Sequence, residues 1–210
     1  MADDLVFYTN PMSRGRIVRW MLEEVGVPYR TELLDFGTSM KALNYLSINP
    51  LGKVPAVKHG DTVVTEAAAI CAYLADVFPE KGLAPPVGSQ LRGSYYRWMF
   101  MGAGPLEAAS MDRVMGVSVP ADMKTRVGYG SLEDMADLLD RVVTGRKFLV
   151  GDRFSAADVY VGSNLGWGMM SGSIPKRESC AAYVDGLRSR PAAIRAAKID
   201  DDLIAAAKKG

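Results

Sequence analysis

The sequence predicts an α/β unit followed by an all-α unit. Three observations carry that prediction. From residue 5 to residue 78, short apolar runs alternate with stripes of helical spacing. A cluster of breakers follows, with Pro79, Gly82, Pro85, Pro86 and Gly88 within ten residues. Beyond it every patterned segment reads as helix or loop. With 210 residues, the chain is long enough for one or two domains and a sizeable core. We expect an N-terminal domain over 1–80, a linker over 81–88 and a helical domain over 89–210.

Taken in order, Leu5-Val6-Phe7-Tyr8 is an apolar run that ends at Thr9-Asn10-Pro11, a buried strand and its turn. Ile17, Trp20, Met21 and Leu22 mark a helix over 13–24, with Ser13 placed to cap it and Gly26 to stop it. A second strand is expected over 29–34 and a short helix over 43–46. Asn49-Pro50-Leu51-Gly52 is turn chemistry. Two short apolar runs, 54–57 and 62–64, flank His59-Gly60-Asp61 and read as a hairpin. The stretch 66–78 is rich in Ala and Leu and reads as helix. In the second half, 90–101 is helical, and Gly102, Gly104 and Pro105 kink or end it. Leu132, Met135, Leu138, Leu139 and Val142 form an amphipathic stripe over 131–143. Further helices are expected over 155–167, 181–188 and, briefly, 192–198, before a polar tail.

Charge and composition remove several classes of function. Twenty-five basic residues against 24 acidic ones leave a net charge of +1 and no global field. Nucleic acid and anionic membranes are thereby disfavoured as main partners. No apolar stretch approaches the ~18 residues of a membrane span. The opening Met-Ala-Asp-Asp-Leu-Val lacks a basic segment leading into an apolar one, so we expect no secretory signal. Cys71 and Cys180 make neither a CxxC pair nor a disulfide framework, and His59 is the single histidine. The expectation is a metal-free protein of a reducing, cytoplasmic compartment.

Four motifs carry chemistry. In Gly52-Lys53-Val54-Pro55, a cis bond before Pro55 would turn the Val54 backbone outward to pair with an extended peptide. An ordinary turn before an edge strand reads the same residues equally well. At Glu66-Ala67, the open N–H groups of a helix start suit a carboxylate, while Glu66 suits an ammonium beside it. The blander role for Glu66 is to offset the helix dipole. Ser155-Ala156-Ala157-Asp158 has capping-box spacing and is structural under every hypothesis. Finally, a strand end at Tyr8 and a helix start at Ser13-Arg14-Gly15-Arg16 make a place where an anion, a thiolate included, is stabilised. There too Ser13 can be a cap alone, and Tyr8 a packing residue alone.

The chain resembles the glutathione S-transferase family, in its bacterial form, from Leu5 to about Lys198. The resemblance lies in Ile48-Asn49-Pro50-Leu51-Gly52-Lys53-Val54-Pro55-Ala56-Val57, in Thr65-Glu66-Ala67-Ala68-Ala69-Ile70 leading to Tyr73-Leu74, and in Gly151-Asp152-Arg153-Phe154-Ser155-Ala156-Ala157-Asp158. The run from Ser13 to Tyr29 is similar to the first helix of bacterial members. This implies a thioredoxin-like N-terminal domain that holds glutathione and a helical domain that holds an electrophile. By the resemblance, Val54 beside Pro55 pairs with the cysteinyl backbone of glutathione, Glu66 and Ala67 take its γ-glutamyl end, and Lys53 faces its glycyl carboxylate. Ala67 stands where the family most often has Ser, which removes one hydroxyl contact.

The sulfur-activating group departs from a simple match. Counting back from Leu22-Glu23-Glu24-Val25-Gly26, Tyr8 falls where tyrosine classes carry their catalytic residue, and Ser13 lies one position beyond the serine of the serine classes. Ser13 is favoured for its helix start, with Tyr8 second; Asn10 and Arg14 are further candidates for contacting the sulfur. Met12, Trp98, Met99, Met101 and Met115 are candidates for the electrophile pocket or for helix core. The expected activity is conjugation of glutathione to a small hydrophobic electrophile, as in detoxification, by a homodimer with no metal. The competing readings are a non-catalytic interaction protein of the same fold and a glutathione-dependent isomerase, dehalogenase or peroxidase.

Overall fold

The computed structural model describes residues 5–208. Its elements are β1 (Leu5–Thr9), α1 (Gly15–Val25), β2 (Arg30–Leu33), α2 (Leu43–Leu46), β3 (Ala56–His59), β4 (Thr62–Thr65) and α3 (Ala67–Val77). They continue as α4 (Leu91–Met101), α5 (Glu107–Val114), α6 (Leu132–Val143), α7 (Ala156–Ser171), α8 (Glu178–Arg188) and α9 (Pro191–Ala207). The chain divides into two compact units, one running to Lys81 and resuming at Arg190, the other spanning Gly82–Ser189.

In the first unit the sheet order is β2-β1-β3-β4. β1 pairs with β2 in parallel, joined by the α1 crossover, and β1–β3 and β3–β4 are antiparallel. This is the thioredoxin-like arrangement. Leu5, Phe7 and Thr9 are buried on one face of β1, and Val6 and Tyr8 alternate onto the other. The Arg19 guanidinium lies 5.0 Å above the Phe7 ring, which places α1 on the Phe7 face. Tyr8 packs on the opposite face with Met40, Tyr45 and Ala56. The hairpin differs slightly from expectation. His59 belongs to β3, so only Gly60-Asp61 make the turn, because the ladder runs on to the His59–Thr62 pair.

The last helix corrects the expected domain plan. Instead of a short 192–198 segment in the helical domain, α9 runs 17 residues with Pro191 in its first turn and belongs to the first unit. Ion pairs fasten it there. Asp200 and Arg19, each with a 2% exposed side chain, meet at 3.2 Å. Asp201 accepts from Arg16 at 2.7 Å, and Glu24 takes both Arg190 Nε and Nη2 at 2.7 and 2.8 Å. Glu23 takes Arg195 Nε at 3.1 Å.

In the second unit, of the two outcomes expected after residue 101, a kink or an end, the chain takes the kink. Gly102–Leu106 forms one wide π turn containing Pro105 and leads directly into α5. Such a turn absorbs a proline that donates no hydrogen bond. Ser131 caps α6, accepting from the Asp134 N–H at 3.1 Å. The capping box before α7 is larger than its spacing suggested. The wholly buried Asp158 carboxylate accepts from the Ser155 N–H at 2.8 Å and its hydroxyl at 3.1 Å, from the Leu149 N–H at 2.8 Å and from the Tyr183 hydroxyl at 2.7 Å. Burial raises the Asp158 carboxyl pKa, and those hydrogen bonds oppose the rise.

Asp158→Ala leaves four buried donors without an acceptor. It should lower unfolding free energy by about 2–4 kcal/mol in urea titrations, with an unchanged midpoint counting against this account. Asp200 yields a pH prediction. Burial raises its carboxyl pKa, against the pull of Arg19. The folded chain therefore holds this proton to a higher pH than the unfolded chain, whose value is near ~3.9. The stabilisation is full below the unfolded value and declines as pH rises through the folded one. Asp200→Asn, which does not titrate, should remove that downward slope from the acid limb of the Tm profile. A slope equal to that of the wild type would refute the shift.

Candidate functional site

The sheet registers bring three segments to one end. Tyr8 stands opposite Ala56, and Ala56 stands opposite Thr65. β1 leaves this row into the loop of Asn10 to Arg14, β3 enters it from Val54-Pro55, and β4 leaves it at Glu66. Distant stretches of sequence thus become neighbours through hydrogen-bonded register alone.

The first segment is a tightly bonded loop. The Asn10 side chain donates Nδ2–H to the Leu34 carbonyl at 2.8 Å and accepts the Met12 N–H on Oδ1 at 2.9 Å. Its backbone carbonyl accepts the Ser13 hydroxyl at 2.7 Å and the Ser13 N–H at 3.1 Å. The Ser13 Oγ in turn accepts the Gly15 N–H at 2.9 Å. The helix begins two residues later than Ser13, yet Ser13 still serves its first N–H. A Cβ at Gly15 would lie 1.9 Å from Thr9 Oγ1, so the helix start can approach β1 only as glycine. Tyr8 is half-buried, with its ring 5.6 Å from that of Tyr45, and no hydrogen bond of its hydroxyl is seen among the described residues.

The second segment is the turn before β3. The Val54–Pro55 bond is cis. The Lys53 carbonyl is held by the Tyr45 hydroxyl at 2.6 Å and by Asn49 Nδ2 at 2.8 Å. Burial pushes the Tyr45 phenol pKa up to about 12, so it stays a donor. Gly52 has φ +57°, and a Cβ there would meet the Met40 carbonyl oxygen at 2.6 Å. Among the described residues no backbone partner takes the Val54 N–H or C=O. The Lys53 side chain is exposed and enters no ion pair there.

The third segment is the start of α3. Glu66 is the one non-glycine residue described with positive φ, +66°, in a region that L side chains seldom adopt. It occupies the N-cap position, but its carboxylate caps nothing. The carboxylate is exposed and lies beside the open backbone N–H groups of the helix start. An anion acceptor and a cation acceptor lie side by side, which suits a zwitterionic head group.

The expected electrophile residues divide. Met12 is 65% exposed at the loop tip. Trp98 and Met99, at 2% and 4%, are core side chains and offer a ligand almost no surface. Their helical spacing, which allowed either reading, reflects packing. Asn10 is likewise turned into its own loop, its amide engaged on both sides. Sequence reasoning missed this clamp, the Thr9–Gly15 approach and the buried Arg19–Asp200 pair. The one available signal was Arg19 standing inside the apolar stripe of α1. Among the described residues no group of acidic, His or Cys side chains is arranged to hold a metal ion.

Comparison with known proteins follows the same lines. The family model of the glutathione S-transferase N-terminal domain matches residues 4–76. Glutathione S-transferase GstA of Escherichia coli O157:H7 is 29% identical over 150 residues, covering 70% of this chain and 74% of that protein. A crystal structure of a glutathione transferase from Methylococcus capsulatus is 30% identical with a TM-score of 0.76, over 94% of this chain and 98% of that one. The chain belongs to the glutathione S-transferase family. Another family member, a sphingomonad glutathione S-transferase solved in complex with glutathione, is 25% identical with a TM-score of 0.76, covering 93% of this chain and 98% of that one.

Within this family framework the close approach at Gly15 is open to test. Gly15→Ala forces Thr9 or the first turn of α1 to shift. It should lower stability by about 1–3 kcal/mol, read from chemical denaturation. A variant of wild-type stability would mean that the helix start can move freely.

Proposed function

We propose that the protein is a glutathione S-transferase that holds glutathione as its thiolate and conjugates it to a small hydrophobic electrophile. The observation that supports this most is the set of open groups gathered at one sheet end. The Val54 N–H and C=O are free to pair with the cysteinyl backbone of a bound tripeptide. Glu66 receives the γ-glutamyl ammonium, and the Ala67 N–H at the start of α3 receives its carboxylate. Lys53, with Arg14 at the neighbouring loop, forms the cationic rim that faces the remaining carboxylate and the sulfur.

Ser13 activates the thiol in this reading, and Tyr8 is the second candidate because its hydroxyl is unengaged. A free thiol titrates near ~8.5, and lowering it by two units needs ~2.7 kcal/mol of preference for the thiolate. A charge-assisted hydrogen bond of ~1.5–3 kcal/mol plus a helix N-terminus of ~0.3–1 kcal/mol supplies that. No general base is required, since the thiolate itself is the nucleophile. Met12, exposed on the same loop, is the side chain we place beside the incoming electrophile. We further propose a two-fold homodimer, consistent with the exposed Val77 on α3 and Tyr96 and Phe100 on α4. We place the activity in the cytoplasm, where both buried cysteines stay reduced.

Calorimetry tests the glutathione site directly. Wild-type protein should bind in the micromolar to low millimolar range, and Glu66→Ala should weaken binding by ~1–3 kcal/mol as the ammonium loses its partner. Absence of heat from wild-type protein at millimolar glutathione would overturn the proposal.

A further inference from the structure

We infer that Asn10 is a positioning residue whose carbonyl accepts the Ser13 hydroxyl hydrogen bond until a sulfur anion replaces it as acceptor. The inference rests on the glutathione reading and deepens it. Ser13 carries a single hydroxyl proton, which it donates to the Asn10 carbonyl oxygen, 2.7 Å from Oγ. A thiolate in the same place needs that proton as its hydrogen bond. The two acceptors therefore compete for one donor.

Three features make the exchange easy. The Ser13 Oγ is pinned by the Gly15 N–H at 2.9 Å, so only the hydrogen has to swing about the Cβ–Oγ bond. The Asn10 carbonyl retains the Ser13 N–H at 3.1 Å after the hydroxyl hydrogen turns away, so it is never an orphaned acceptor. The carbonyl itself is fixed, because the Asn10 amide bridges the Leu34 carbonyl on β2's exit and the Met12 N–H within the loop. Both ends of that amide face a complementary partner, which also determines its orientation. An anion is a stronger acceptor than a neutral carbonyl, so the hydroxyl, its O–H bond intact, turns its hydrogen bond to sulfur when the thiolate forms. Without the amide the carbonyl drifts, and Ser13 drifts with it.

The test is a double-mutant cycle with wild type, Asn10→Ala, Ser13→Ala and the double variant, reading the thiol pKa of bound glutathione from thiolate absorbance. Ser13→Ala should raise that pKa by about one to two units. Asn10→Ala should raise it by roughly half as much, yet add almost nothing in the Ser13→Ala background, because its effect runs through the lost hydroxyl. Asn10→Ser keeps a short acceptor for the Met12 N–H and should fall between wild type and Asn10→Ala, which separates loop position from folding. Equal shifts from Asn10→Ala in both backgrounds would overturn the inference and make Asn10 a direct sulfur contact. A wild-type protein that binds no glutathione, or leaves its thiol near ~8.5, would overturn the functional reading itself.

Discussion

Antiparallel register across β1, β3 and β4 is the constraint from which the candidate site follows. Tyr8, Ala56 and Thr65 form one row, and the residues just beyond that row are the loop of Asn10 to Arg14, the Val54-Pro55 turn and Glu66. A slip of one residue in β1 would exchange Tyr8 for Phe7 or Thr9, both wholly buried on the other face. The hydrophobic alternation of β1 therefore does more than fill the core. It sets the position at which each connecting segment leaves the sheet, and so which polar groups meet.

The helix that follows Ser13 is oriented by a second device, the charged seam between α1 and α9. Arg19 sits at 2% exposure over the Phe7 ring, its Nε on Asp200 and its Nη1 on the Thr31 hydroxyl at 2.9 Å and the Tyr29 hydroxyl at 3.2 Å. Desolvating such a pair cancels much of its Coulombic gain, so it is poor evidence for added stability. What it supplies is direction. The engaged donors of its planar guanidinium, Nε and Nη1, meet their acceptors at set angles, which restricts the rotation of α1 against α9 and β2 more than apolar contacts alone would. Arg16 extends the seam, donating to Asp201 on one side and to the Pro11 carbonyl at 3.4 Å on the other.

Short-range physics explains what the sequence made legible. An apolar run exposed β1, helical spacing exposed α1 and α6, Ala- and Leu-rich composition exposed α3, and the strand–helix order implied the α/β unit. Val54-Pro55 and Glu66-Ala67 were visible because proline and a helix start leave local marks. Residues whose role depends on partners far along the chain were not visible. The helical spacing around residue 98 fitted a pocket or a core equally, and only burial separated them. The length of α9 was hidden by its run of charges, Asp200-Asp201-Asp202, which reads as a solvated end until Arg16 and Arg19 are placed against it. Asn10 looked like an available amide because its acceptor, the Leu34 carbonyl, lies 24 residues away.

The contrast between satisfied and open groups then locates the chemistry. In the loop of Asn10 to Arg14 the polar atoms serve one another, and around the Lys53 carbonyl two donors converge on one acceptor. At the next residue the Val54 backbone, and at the start of α3 the Glu66 carboxylate, have no protein partner among the described residues. Folded chains pair nearly all of their buried backbone groups, so backbone left open beside a sheet end is consistent with the pairing we propose for a bound tripeptide. Glu66 reinforces the point. Its left-handed φ is costly for a side chain that caps nothing and pairs with nothing inside the fold. The carboxylate is exposed beside the first N–H groups of α3, and in the function we propose one small zwitterion meets both.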